Sequence, residues 1–85
     1  MIILAKNKVG YTFNYWYPLE LKQDFIAGTT TIIFGLYKDK ATCEADTDKT
    51  KFLLTKKEVI NKIVNKNNAE DEVLKLPYWS GGVKE

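Results

Sequence analysis

The chain has no histidine, no arginine and a single cysteine among its 85 residues, and each shortage removes a class of chemistry. Histidine is the side chain that most readily trades a proton near neutral pH, so its absence takes away the usual general base and the usual activator of a serine or of Cys43. One cysteine cannot close an intrachain disulfide, and a tetrahedral zinc site, which draws on cysteine and histidine, has too few ligands. Nothing in the residues calls for an oxidising compartment. All 13 basic residues are lysine. The planar guanidinium that reads guanine edges and clamps phosphates bidentately is therefore missing, which counts against sequence-specific nucleic-acid recognition.

Eleven acidic residues bring the formal net charge to +2, too near balance to steer a polyanion. The apolar start Met1-Ile2-Ile3-Leu4-Ala5 meets Lys6 and Lys8 at once. That run is too short for a signal peptide's apolar region or a membrane span. The expectation is a cytoplasmic protein with no membrane partner. Lysine without arginine, with abundant asparagine and isoleucine, is what AT-rich coding produces, so a low-GC bacterium or its phage is the expected source, and the host cytoplasm the site of action if a phage encodes it. The length supports one domain, 1–85. Cores of this size supply only about 3–5 kcal/mol, so burial against a second copy would add stability, and a homo-oligomer is one expectation.

Along the chain, Ile2 to Ala5 has the form of a short buried strand, and Lys6-Asn7-Lys8 that of a turn into a second strand from Val9. Between Tyr11 and Tyr17, the residues Tyr11, Phe13, Tyr15 and Tyr17 share one face at period two and Thr12, Asn14 and Trp16 the other. Pro18 cannot donate to a ladder and is expected to end that strand. Leu19 to Ala27 fits a loop with a helical turn, in which Leu21, Phe25 and Ile26 follow a helical stripe and Gly28 serves as the cap. Thr29 to Tyr37 is the strongest strand, dominated by β-branched and aromatic residues, and belongs inside the sheet. Asp39 is placed to cap a short helix through Ala41, Cys43 and Ala45, and Lys51 to Leu54 forms a last short strand. Thr55-Lys56-Lys57-Glu58 has the spacing of a capping box, and Val59, Ile60, Ile63 and Val64 make an apolar stripe behind it. The main helix is therefore expected from Thr55, with Asn68 capping a short second helix that Pro77 stops.

The expected fold is α+β: an antiparallel sheet of three to four strands within about 1–54, packed against one main C-terminal helix. A short second helix within about 55–76 and an extended tail, 77–85, complete it.

Few constellations could carry chemistry. Asp46-Thr47-Asp48-Lys49-Thr50 matches a DxDxT string of aspartate-nucleophile phosphotransferases. That chemistry needs the end of a buried parallel strand in a large α/β domain, which this chain is too short to build. As a calcium loop the same segment places Lys51 where a glycine is needed and Lys57 where a bidentate glutamate is needed. Gly81-Gly82 leads into no helix that could cradle a phosphate. No catalytic residue, metal ligand or cofactor is expected, and the chain is expected not to be an enzyme.

What remains is aromatic. Tyr11, Tyr15, Trp16 and Tyr17 crowd one strand, and Tyr78 and Trp79 lie in a glycine-ended tail. These rings either face the helix and cap the core or stay wet and meet a partner. Buried tyrosines need a partner for the hydroxyl, and large amphipathic rings dominate protein interfaces. The functional expectation is therefore a non-enzymatic protein-protein interaction module with Tyr11, Tyr15, Trp16, Tyr17, Tyr78 and Trp79 as partner-binding residues. A small phage or mobile-element accessory protein fits, either inhibiting a host protein or taking part in virion assembly. The alternative is a small-molecule or nucleotide binding or sequestering protein that stacks its ligand on aromatic faces. An exposed Trp16 predicts that Trp16→Ala weakens association more than it lowers the melting temperature.

Overall fold

The computed structural model describes residues 1–4 and 13–85. The expected Lys6-Asn7-Lys8 turn, the strand start at Val9 and the ring of Tyr11 lie outside the described residues. In chain order the elements are β1 (Ile2–Leu4), β2 (Tyr15–Asp24), β3 (Thr29–Tyr37), α1 (Lys40–Ala45), β4 (Thr55–Ile60), α2 (Lys66–Val73), a 3₁₀ turn (Pro77–Trp79) and β5 (Gly82–Lys84). The strands form one antiparallel sheet in the order β4-β3-β2-β1-β5. An α+β fold is observed, with five strands and two helices among the described residues.

The β2–β3 hairpin is the spine, paired from Tyr15↔Tyr37 to Asp24↔Thr29. Alternation along β3 sends Thr30, Ile32, Phe34 and Leu36, all buried, to one face. There they join Ile2, Leu4, Trp16 and Ile60 beneath Ala69 and Val73 of α2 and beneath Trp79. Covering a ring the size of Trp79 removes about 150–250 Å² from water. At about 25 cal/mol per Å² that is on the order of 5 kcal/mol before entropy is subtracted. On the opposite face Tyr15, Tyr37 and Cys43 make a smaller cluster with Tyr17 and Phe52 packed against it.

Several expectations need correction. The segment from Thr55 is a strand, not the main helix. Its burial alternates, with Lys56, Glu58 and Ile60 turned toward the α2 side, and it pairs with β3 from Thr30↔Ile60 to Gly35↔Thr55. β3 offers a row of backbone donors and acceptors that only another strand can satisfy, and that demand overrides the local capping signal. The C-terminal helix starts later, at Lys66, where Asn65 caps it by accepting from the Asn68 amide at 2.9 Å. Asn68 itself lies inside that helix.

Pro18 does not end its strand. Pro18 pairs with Phe34 and Glu20 with Ile33, so Leu19 is the extra residue of a bulge. The β1 pairing reaches only as far as Trp16, so among the described residues no strand flanks the proline on that side and no ladder bond is lost there. Leu19 and Phe52 close over Gly35, where an added Cβ would lie 2.9 Å from Leu19 Cδ1 and 3.1 Å from Phe52 Cβ. The expected loop from Leu19 is instead strand through Asp24. Lys51 to Leu54 is irregular, although Leu36 and the 53–54 backbone exchange bonds of 2.8 and 2.9 Å. The 77–85 tail folds back, and β5 pairs with β1 from Ile2↔Lys84 to Leu4↔Gly82.

Candidate functional site

Most of the aromatic residues expected to meet a partner are inside. Tyr15, Trp16 and Trp79 are buried. Trp16 meets Trp79 edge-on at 5.2 Å between centroids and Tyr78 at 6.4 Å. The Tyr15 hydroxyl donates to Met1 Sδ at 2.8 Å, and burial, with smaller contributions from Glu85 and other acidic groups, pushes its pKa up to about 12. A partner cannot reach these rings without opening the core. Tyr17 and Tyr78 are half-buried, each beneath a lysine: Lys49 Nζ lies 5.0 Å from the Tyr17 centroid and Lys56 Nζ 4.2 Å from that of Tyr78.

The acidic loop is a structural clasp. Asp39 caps α1 as expected, accepting from the Thr42 amide at 2.8 Å. Beyond the helix, Asp46 Oδ2 accepts from the Lys51 amide and from the Tyr37 hydroxyl, each at 2.7 Å. These bonds, the Lys51 amide foremost, hold the carboxyl below its ordinary range against the opposing effect of burial. Lys49, at φ 54°, turns its ammonium back onto the Cys43 and Asp46 carbonyls at 3.0 and 2.7 Å, where a cation suits a helix C-terminus. Glu44 and Asp48 remain exposed. Among the described residues no three His, Cys, Asp or Glu side chains are grouped to hold a metal ion. Burial also pushes the Cys43 thiol up, which lowers its thiolate fraction and its reactivity.

The exposed apolar side chains lie elsewhere. Phe25 is 76% exposed and Ile26 101%, adjacent in the turn that closes the β2–β3 hairpin. Asp24 builds the turn: its Oδ1 accepts from the Ile26 and Ala27 amides, both at 3.1 Å, and its carbonyl accepts from the Gly28 amide at 2.8 Å. Gly28, at φ 69°, supplies the left-handed residue that returns the chain into β3. Directly below, Gln23 Nε2 donates to the Val64 carbonyl at 2.9 Å. Thr30 Oγ1 donates to the Lys62 carbonyl at 2.8 Å and accepts from the Val64 amide at 3.0 Å. The arm is braced to that level, and the turn extends beyond it. Asp24 and Gly28 at this spacing were the available signal; a helical stripe through Leu21, Phe25 and Ile26 masked it.

Leu53, Val59 and Val83 are the other exposed large apolar residues among those described. Val59 belongs to β4, one edge of the sheet. Two copies joined there antiparallel, about a two-fold axis normal to the sheet, set Lys57 against Lys57 or Glu58 against Glu58 when the axis passes at either residue, and like charges directly opposite one another oppose those two registers. A register with the axis at Val59 sets that exposed valine against itself and carries no such opposition.

No known family matches the chain, and no curated protein or solved structure is significantly similar to it. No helix among the described residues is long and apolar enough to cross a membrane.

Proposed function

We propose that the chain is a non-enzymatic protein-protein interaction module whose contact residues are Phe25 and Ile26. The observation that carries this is their near-complete exposure on a turn already ordered by Asp24. Two large apolar side chains held in water contribute nothing to folding, whereas the same pair covered by a partner gains roughly 1.5–3 kcal/mol apiece. Preorganised turns also lose little entropy on binding. Tyr17 and Tyr78, on other parts of the molecule, stay outside the proposed contact. The partner is a protein in the cell that makes this chain, and the module acts as an accessory that occupies a partner's surface or joins an assembly.

Affinity capture with the wild-type chain and with Phe25→Ser/Ile26→Ser tests the reading, alongside melting curves over a nucleotide and metabolite panel. Proteins retained by the wild type and lost from an equally stable double variant support it. Identical captured sets, or a ligand-dependent rise in Tm with no protein partner, would sink it. Light scattering on the recovered complex then separates a discrete inhibitor complex from a ring or particle component.

A further inference from the structure

We infer that residues 39–51 form a flap that opens and closes over one face of the sheet while the main core stays folded, and that the Tyr37–Asp46 hydrogen bond is its latch. The flap lies at the opposite end of the β2–β3 hairpin from Phe25 and Ile26, and its opening does not depend on what that turn binds.

The chain leaves β3 after Tyr37 and comes back beside it at Leu53. At the exit the Lys38 carbonyl accepts from the Asn14 amide at 3.4 Å. At the return the Leu53 amide donates to the Leu36 carbonyl at 2.8 Å and the Leu36 amide to the Leu54 carbonyl at 2.9 Å. Both ends of the excursion are therefore pinned close together, as in the compact surface loops of about 6–16 residues whose termini nearly meet. Such a segment can lift without parting β3 from β4, whose ladder from Gly35↔Thr55 to Thr30↔Ile60 lies beyond the return.

Within the flap the bonds are its own. Asp39 caps α1 through the Thr42 amide, and the Asp39 carbonyl accepts from the Cys43 amide at 3.2 Å. Asp46 Oδ2 accepts from the Lys51 amide and so ties the outgoing leg to the returning one, while the Lys49 ammonium donates to the Cys43 and Asp46 carbonyls. None of these bonds reaches the sheet, so all of them survive when the flap lifts.

What holds the flap down is slight. Of α1 only Cys43 is buried, and the hydrophobic gain on closing follows the small area hidden. Lys40 reaches Glu85 at 2.7 Å and Lys49 stands 5.0 Å from the Tyr17 ring centroid, contacts between partly exposed groups that each contribute little. Among the described residues one side-chain hydrogen bond joins flap to sheet, from the Tyr37 hydroxyl to Asp46 Oδ2 at 2.7 Å, and it is buried. A bond to a charged acceptor is among the stronger kind. The cluster beneath, Tyr15 and Tyr37 with Cys43, is separate from the main core that holds Trp16 and Trp79. Uncovering it therefore leaves the tryptophans packed, and such a unit opens at a lower free energy than the whole molecule.

The chain carries its own reporters. Cys43, its single cysteine, lies under the flap, and both of its tryptophans lie in the main core. Iodoacetamide alkylation of Cys43 in the folded full chain, followed by mass spectrometry, reports the flap; urea unfolding followed by tryptophan emission reports the core. Each alkylation rate is divided by that of the same variant unfolded in urea, which removes differences in intrinsic thiol reactivity. The variants are Tyr37→Phe, which deletes the latch and keeps the ring, Asp46→Ala as a second latch variant, and Ile32→Val, which trims the main core.

Expected is alkylation about 5- to 30-fold faster in Tyr37→Phe than in wild type, and faster in Asp46→Ala as well. Ile32→Val should stay within about 2-fold of the wild-type rate although its urea midpoint falls. Acceleration in Ile32→Val in proportion to its lost stability would show that Cys43 is reached only through global unfolding. A wild-type rate in both latch variants would show that the Tyr37–Asp46 bond holds nothing. Either result overturns the inference.

Discussion

Truncating Trp16 should unfold the protein rather than spare it. The ring is buried, packs edge-on against Trp79 at 5.2 Å, and belongs to the cluster that joins β1, β2, β3 and α2. Removing an aromatic side chain from such a site costs about 3–5 kcal/mol, because the transfer energy is lost and the cavity collapses only in part. Each kcal/mol shifts Tm by about 4–8 °C in a domain of this size, so Trp16→Ala should melt at least about 12 °C lower. A core of this size supplies only about 3–5 kcal/mol, so the loss is of the order of the whole stability. Urea unfolding followed by far-UV circular dichroism measures it, with Trp16→Phe as a milder control and Phe25→Ser as a surface control expected within about 0.5 kcal/mol of wild type. The outcome expected from an exposed ring, weakened association with little change in Tm, is thereby reversed. A Trp16→Ala variant within about 1 kcal/mol of wild type would refute the packing argument.

Asp46 links stability to acid. Its folded carboxyl lies below the ordinary 3.8, so its contribution is complete above that value and is lost as pH falls through the folded pKa. Urea midpoints should be level near pH 5–6 and drop below about pH 4, and Asp46→Asn should flatten that drop. Tyr15, pushed up to about 12, and Tyr37, raised by burial and then by its bond to Asp46, contribute in the opposite sense. Their stability is present below the ordinary 10 and is lost as pH climbs through the folded values. Tyr37→Phe should cost about 1–2 kcal/mol by leaving Asp46 short of a donor, read by urea unfolding at pH 7. Asn65→Ala should cost about 1 kcal/mol by removing the cap of α2, with a matching fall in Tm.

Strand β3 and the Asp39-capped helix could be read from the residues, because each carries its own signal: seven β-branched or aromatic residues among the nine of Thr29–Tyr37, and one carboxylate ahead of Lys40–Ala45. The β4 segment could not, since Thr55-Lys56-Lys57-Glu58 satisfies a capping box and a period-two strand equally well. What decides between them is the unpaired flank of β3, which lies distant in the chain. Pro18 misled for a related reason: whether a strand tolerates proline depends on whether a neighbour runs alongside it, and β1 stops short. Of the aromatic residues in the stripe and tail, Tyr15, Trp16 and Trp79 are buried and Tyr17 and Tyr78 half-buried, and alternation could not say so, because alone it does not show which face of a strand is covered. Trp16 and Trp79 meet on the α2 face of the sheet, far apart in the chain, where the Pro77–Trp79 turn lays the tail over the core. Phe25 and Ile26 fit a helical stripe with Leu21 ahead of Gly28, because apolar residues beside a glycine suit a helix end as readily as a hairpin turn.

Isothermal titration, at matched stability, of a protein captured by the wild-type chain should show a measurable affinity for that chain and a loss of about 30-fold or more for Phe25→Ser/Ile26→Ser, while the two melting curves coincide. Equal affinities for both chains would contradict the account.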